Sequence, residues 1–375
     1  MHLTLAAAAL ADPQFQKSES IDEAFWQKPE GKNVKASMDK VVAGIRNYQL
    51  HNFKRPENKR PVVWQDGEAR LFHYKSKKKA KSRILVVPSM INGSEILDLL
   101  PGKSLMNWLA EQGFEAFLLD WGDLTKDKEL QSIDLALGKK LKKLLKWLKP
   151  QSDLPLTGLG YCMGGLLLAA INQLSPKAFD NLVFIATPWD FTKDTKGNFS
   201  ESVTKWAKDG LPQTMLLDYM PAQWLQMIFA SVDAGLIARK FSAFANMDQA
   251  SKEAQLFVAV EDWVNGGSDL PTSIIHHTVS GWYVENKPMK GKWEVAGKII
   301  QPENIAKPAF VVVPGKDKIV PPASARPLGK KIKSAKIIEP DCGHISMMVG
   351  RNSEEQVWIP LRDWLFSQRS IKTKP

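Results

Sequence analysis

The chain has 375 residues, with 51 Lys and Arg against 40 Asp and Glu, a formal charge of +11, 44% hydrophobic residues and two cysteines. This describes a soluble globular protein longer than one minimal domain, and it suits a core carrying a large insertion. Two cysteines exclude a disulfide framework and fit a reducing cytosol, and no stretch reaches the roughly 18–20 apolar residues that cross a bilayer.

Residues 1–60 read as an N-terminal helical arm. Leu3–Ala11 is apolar and Ala9-Leu10-Ala11 imitates a cleavage site, but no Lys or Arg precedes it. A surface-docked helix in an unprocessed chain is therefore expected there. Ile45–Phe53 is the most apolar piece of the arm.

From Pro61 the texture alternates. Arg83–Pro88 reads as a buried strand, Ser104–Gln112 as a helix, Glu115–Trp121 as a strand and Ile133–Leu148 as a helix. The strand Leu154–Leu159, the helix Leu166–Leu174 and the strand Asn181–Thr187 continue the series. Strands separated by helices of this length imply right-handed crossovers and a mainly parallel sheet, over residues 61–190. Residues 191–298 then read as an inserted helical cap, with Met215–Phe229 as its plausible lid segment. The strands Ala309–Val313 and Lys336–Glu339 and the helix Trp358–Phe366 complete the core over residues 299–375.

The positive charge is local. Lys75–Arg83 is one basic run, and Lys139, Lys140, Lys142, Lys143, Lys146 and Lys149 share one helix. Leu137, Leu141, Leu144, Leu145 and Leu148 recur there at core-facing spacing, so the lysines read as its solvated face. Attraction to anionic ligands such as phosphorylated cofactors, or to a lipid-coated surface, is the less favoured alternative. Nucleic acid is not an expected partner, because no binding module or interleaved aromatic platform is visible. Neither a metal nor a cofactor is expected.

The most informative segment is Gly160-Tyr161-Cys162-Met163-Gly164-Gly165. It has the form of the G-x-S-x-G nucleophile elbow, with cysteine in place of serine, between a strand and a helix. The turn strains its central residue and lifts the side chain out of the sheet, and flanking glycines keep Cβ atoms from blocking that approach. A buried structural cysteine is the bland alternative. A nucleophilic cysteine needs a base, and the base needs an acid, in the chain order nucleophile, acid, histidine. His344, within Asp341-Cys342-Gly343-His344, follows the last strand. His276 and His277 in the cap are weaker alternatives. Asp317 follows the strand Ala309–Val313 through Pro314-Gly315-Lys316, with Asp190 as runner-up acid. Two backbone amides must receive an oxyanion. Met163 supplies one, and Ile91, with Met90 as alternative, the other from the loop Ser89-Met90-Ile91-Asn92-Gly93. The architecture is that of an α/β-hydrolase: a parallel sheet flanked by helices, with an inserted helical cap.

Several segments together resemble the polyhydroxyalkanoate synthases. They are Val87-Pro88-Ser89-Met90-Ile91-Asn92 with Ile96-Leu97-Asp98-Leu99, then Asp120-Trp121-Gly122, the elbow, Asp317-Lys318-Ile319-Val320-Pro321 and Gly343-His344-Ile345. The resemblance covers about residues 40–368, and the length is closest to the short synthases that work with a second subunit. It implies a cytoplasmic, granule-associated enzyme that polymerises (R)-3-hydroxyacyl-CoA, a coenzyme A thioester, through an acyl-Cys162 intermediate and releases coenzyme A. A second subunit or self-association is the implied protein partner, and the polymer granule the implied surface. His344 would deprotonate the thiol and then the incoming 3-hydroxyl, with Asp317 assisting. The chain departs from the family at Gly93, Glu95, Leu166 and Ser346, none of them in the triad. The alternatives are a cysteine-nucleophile hydrolase, either an acyl-CoA thioesterase or an intracellular polyester depolymerase, and a non-enzymatic partner-binding member.

Overall fold

The computed structural model describes residues 24–192, 199–231 and 233–370. The expectation for Leu3–Ala11 lies outside these residues. The described residues form two compact units, one within 58–222 and 266–370, the other within 24–57 and 223–265.

The larger unit is built on an eight-stranded sheet. Its strands are β1 (Val62–Asp66), β2 (Ala69–Tyr74), β3 (Ser82–Val87), β4 (Phe114–Asp120), β5 (Leu156–Tyr161), β6 (Asn181–Ile185), β7 (Ala309–Val312) and β8 (Ala335–Ile338), in the order β1-β2-β4-β3-β5-β6-β7-β8. Strands β3 to β8 run parallel, and the hairpin β1–β2 pairs antiparallel along β4. Strands β3, β5, β6 and β7 are buried along their whole length. Covered on both faces, they read in sequence as continuous apolar runs.

Each crossover lies close to its expected position: helix Leu105–Glu111, the helical run 133–148 and helix Met163–Leu174. Ser104 and Ser132 cap the first two by accepting the amides of Asn107 and Leu135. Met215–Phe229 is not one helix. The helix Phe199–Leu217 ends before Asp218, which stands at φ 60°, and Tyr219–Met220 is extended and pairs with Leu270–Pro271. Pro221 then precedes a separate helix, Ala222–Ser231.

The lysine face also needs correction. Lys139, Lys142, Lys143 and Lys146 are exposed, but Lys140 is 3% exposed. Residues Ala136–Leu141 form a π-helical turn, and Lys140, three residues after Leu137 and four before Leu144, lies on the side of that buried apolar stripe. Its ammonium lies 2.9 Å from Asp127, 3.3 Å from Asp66 and 3.5 Å from Glu129. Burial pushes the lysine down, but the bonds and charges of Asp127 and Asp66 hold it above the usual lysine range. Arg83, at the end of the basic run, is likewise buried, and donates to the carbonyls of Leu148, Lys149, Ser152 and Leu154. It thereby satisfies the orphan carbonyls at the end of the helical run.

In the smaller unit, helix Pro29–Gln49 packs on helix Ala234–Ala245. A Cβ on Gly44 would lie 1.9 Å from the Phe241 carbonyl oxygen, so glycine permits this close approach. Tyr48 donates to Asp262 at 2.7 Å, and Phe244 stacks on Phe257 at 4.2 Å. Residues 24–57 of the expected arm thus share one compact unit with residues from 223–265, while its last three residues, 58–60, belong to the larger unit.

Truncating Lys140 to Ala strands Asp127 as a buried charge, which costs about 3–5 kcal/mol. Denaturant unfolding of Lys140→Ala checks this, against Lys142→Ala on the exposed face as a neutral control.

Candidate active site

The elbow joins β5 to helix Met163–Leu174 through Cys162 alone. Cys162 stands at φ 56° and ψ −126°, a region that side-chain-bearing residues avoid. Its amide is held by the Ile185 carbonyl of β6 at 2.9 Å. A Cβ on Gly160 would lie 2.5 Å from the Gly165 Cα, and one on Gly164 would lie 2.0 Å from the Val87 carbonyl oxygen. Only glycines let the helix start this close to the strand ends.

The acid and base loops leave the carboxyl ends of β7 and β8 and are zipped together. Gly315 and Lys316 donate to the carbonyls of Pro340 and Cys342 at 2.8 and 2.9 Å. An exposed pair, Lys316–Asp341 at 2.7 Å, spans the same loops. Ser346, one of the departures from the synthase pattern, accepts the Gly343 amide at 2.8 Å and closes the turn around His344.

His344 Nδ1 donates to Asp317 Oδ2 at 2.6 Å, and both residues are buried. The other oxygen of Asp317 accepts the amides of Ile319 and Val320 at 2.8 and 2.9 Å. Both carboxylate oxygens are thus engaged, and the ring is fixed with Nε2 left for the thiol. Burial pushes the imidazole down. The charges of Asp317 and Cys162, with hydrogen bonds to both, push it further up, so it sits well above the ordinary histidine range. The structure therefore brings Cys162, Asp317 and His344 together.

The alternative residues are engaged elsewhere. Asp190 is buried, accepting from Asn286 Nδ2 at 2.9 Å and from the Thr192 amide and hydroxyl at 3.1 and 3.0 Å. His277 accepts the Trp293 indole N–H at 2.7 Å, and burial lowers its pKa. His276 is exposed.

The Met163 amide opens its helix, where an N–H has no partner within the helix. The Ile91 amide donates to Ser89 Oγ at 3.1 Å. Composition gave no signal for two further neighbours. Tyr161 donates to the His344 carbonyl at 3.1 Å. Tyr283 is raised by burial and by the charge of Cys162, and packs edge-on against Phe191 and Phe199 at 4.8 and 5.6 Å. Cys342 is pushed up to about 11 by burial and by Asp317 and Asp341, which keeps it a neutral thiol beside the acid.

A family model described as alpha/beta hydrolase fold matches residues 98–351. The chain belongs to that family. Among solved structures, this α/β hydrolase is similar to a soluble variant of a monoglyceride lipase from Saccharomyces cerevisiae. The TM-score is 0.55 at 14% identity, over 85% of this chain and 98% of the other. A carboxyl esterase from Bacillus coagulans gives 0.52 at 12%, over 84% and 99%. At these identities the likeness is one of fold.

In sequence, the α/β hydrolase is 27% identical to a poly(3-hydroxyalkanoate) polymerase subunit of Haloferax mediterranei, over 82% of this chain and 64% of that protein. It is 26% identical to one of Haloarcula marismortui, over 84% and 66%. The match therefore spans just under two thirds of these relatives' length. A shorter relative of the same name, from Synechocystis, is 23% identical over 87% of this chain and 90% of its own. Among the described residues, no helix is long and apolar enough to cross a membrane.

The raised His344 predicts a pH signature. A histidine with a raised folded pKa stabilises the fold fully below its unfolded pKa of about 6.5, and this contribution is lost as pH rises through the folded value. NMR titration should place the His344 midpoint above 6.5. Asp317→Asn removes the charge that raises it and should lower the midpoint.

Proposed function

We propose that this α/β hydrolase is a polyhydroxyalkanoate synthase: an acyltransferase that polymerises (R)-3-hydroxyacyl units delivered as coenzyme A thioesters. The observation that carries this reading is a thiol at the elbow, coupled to a buried His344 whose other nitrogen is held by Asp317 at 2.6 Å. The relatives named poly(3-hydroxyalkanoate) polymerase subunits supply the substrate class.

In the proposed first step His344 takes the thiol proton, and the Cys162 thiolate attacks the thioester carbonyl. The oxyanion rests on the Met163 amide and on an amide of the loop after β3. In the structure Ile91 N–H is given to Ser89, so that loop must turn this amide, or use Met90, to receive the charge. The C–S bond to coenzyme A then breaks, and the leaving thiolate takes the proton from His344. This leaves an acyl group on Cys162. In the second step His344 deprotonates a 3-hydroxyl, which attacks the acyl-cysteine carbonyl, and a new ester forms as the Cys162 thiol is released. No cofactor is needed for either transfer.

A hydroxyl can win over water only where water is scarce. Phe191, Phe199, Trp282 and Tyr283 pack as one aromatic group, and the last of them feels the charge of Cys162. This apolar surface supports transfer over hydrolysis. We assign the enzyme to the cytoplasm and to the polymer surface. A second subunit, or self-association, is consistent with the naming of the relatives as subunits.

The test uses purified protein and (R)-3-hydroxybutyryl-CoA, with free coenzyme A and the acyl product followed together. Coenzyme A release with insoluble polyester is expected. Release with only soluble 3-hydroxybutyrate would replace the synthase by a thioesterase. Cys162→Ala should reduce release at least about 10³-fold.

A further inference from the structure

The strands carrying the proposed nucleophile and base are not neighbours. Strands β6 and β7 lie between β5 and β8, and three strand spacings of about 4.8 Å separate them by roughly 14 Å. The Asp317 carboxylate fixes the imidazole ring of His344 but does not bring its backbone across that gap. A hydrogen bond joins the β5 end directly to the His344 backbone: Tyr161 Oη donates to the His344 carbonyl at 3.1 Å, between buried groups. The two rings also lie 5.2 Å apart with planes tilted by 33°.

We propose that Tyr161 is a positioning residue for the base, its hydroxyl tying the His344 loop to the residue beside the nucleophile. Two features suit it to this task. Its phenol is the side chain immediately before Cys162, so any shift of the elbow moves the tether with it. Burial, with the charges of Cys162, Asp317 and Cys342, also holds its ionisation well above the usual tyrosine range, so it remains a donor at working pH. Phenylalanine would fill the same core volume but could not hold the carbonyl. The inference rests on the proposed roles of Cys162 and His344, though not on the acyl acceptor.

The test is Tyr161→Phe in the full chain, measured in three ways. Turnover of (R)-3-hydroxybutyryl-CoA should fall about tenfold with KM within about twofold, as expected when geometry in the transition state is lost and binding is kept. Alkylation of Cys162 by iodoacetamide, followed on its own peptide to separate it from Cys342, should slow by a similar factor. The NMR midpoint of His344 should fall as its contact with the thiol loosens, yet stay above that of Asp317→Asn. Hydrogen exchange of the full chain adds a local readout, with faster exchange expected in residues 340–346 and little change in β5. Unchanged alkylation and an unchanged His344 midpoint would overturn the proposal. Faster exchange throughout β5 and β6 would also overturn it, replacing positioning by a general role in the core. If the unmodified protein does not turn over the thioester, yet Tyr161→Phe still slows alkylation and moves His344, the synthase reading fails and the positioning role stands.

Discussion

Cys162 is held at φ 56° and ψ −126°, between a strand that ends at Tyr161 and a helix that begins at Met163. Such a conformation costs of order 1–3 kcal/mol and persists only where its surroundings over-determine it. Here the surroundings are specific. The Cys162 amide is committed to Ile185, the helix start presses against Gly160, and Gly164 lies against the last carbonyl of β3. The strain therefore falls on three adjacent parallel strands, β3, β5 and β6, each buried throughout. That same geometry directs the side chain outward at the strand ends and leaves the Met163 amide without a partner in its helix.

The second constraint is electrostatic. A buried imidazole in apolar surroundings prefers to be neutral. His344 is pushed the other way because Asp317 stands against one nitrogen and Cys162 interacts with the ring as well. The carboxylate can do this because Ile319 and Val320 give it two amides, leaving one oxygen free for the ring. The cross-bonds between residues 315–316 and 340–342 keep the two loops in register, so acid and base move as one piece. A charged pair that costs desolvation is thus held in place by backbone geometry, and the polar groups it needs come from turns of four or five residues.

Much of this was legible in the sequence, for a physical reason. Strands covered on both faces, such as Ile84–Val87 or Leu182–Ile185, are runs of apolar residues that nothing else explains in a mixed chain. The elbow is written in glycines whose positions follow from sterics, and chain order separates His344 and Asp317 from the other histidines and aspartates. What was hidden lacks a periodic signal. The hairpin β1–β2 sits at the sheet edge, where Val62–Asp66 is mostly exposed or half-buried and reads as polar. Lys140 reads as solvated because a lysine at the margin of an apolar stripe carries no mark of its carboxylate partners Asp66 and Asp127, which stand on other segments. Met215–Phe229 is rich in apolar residues throughout, and its break at Asp218 and Pro221 leaves no gap in that run long enough to mark two helices. The link from Tyr161 to His344 spans 183 residues and ends on a backbone carbonyl, which no side-chain pattern reports.

The placement of a thiol at this elbow gives the arrangement its chemical direction. Serine would offer a strongly basic alkoxide, dependent on its base throughout the attack. A thiol shares its proton with His344 more readily, and the imidazolium so formed is the state that Asp317 stabilises. In the proposed reaction, thioester exchange onto Cys162 is close to balanced, sulfur for sulfur, because a thiolate leaves as the same kind of group that attacked. Passing the acyl group to oxygen is downhill and needs a base, the role proposed for His344 once the thiol is acylated. The site is thus suited to accepting an acyl group from sulfur and delivering it to oxygen. In the proposed reaction the choice between a hydroxyl and water falls to the apolar groups near the site, among them Tyr283, which is electrostatically coupled to Cys162 and packs on Phe191 and Phe199.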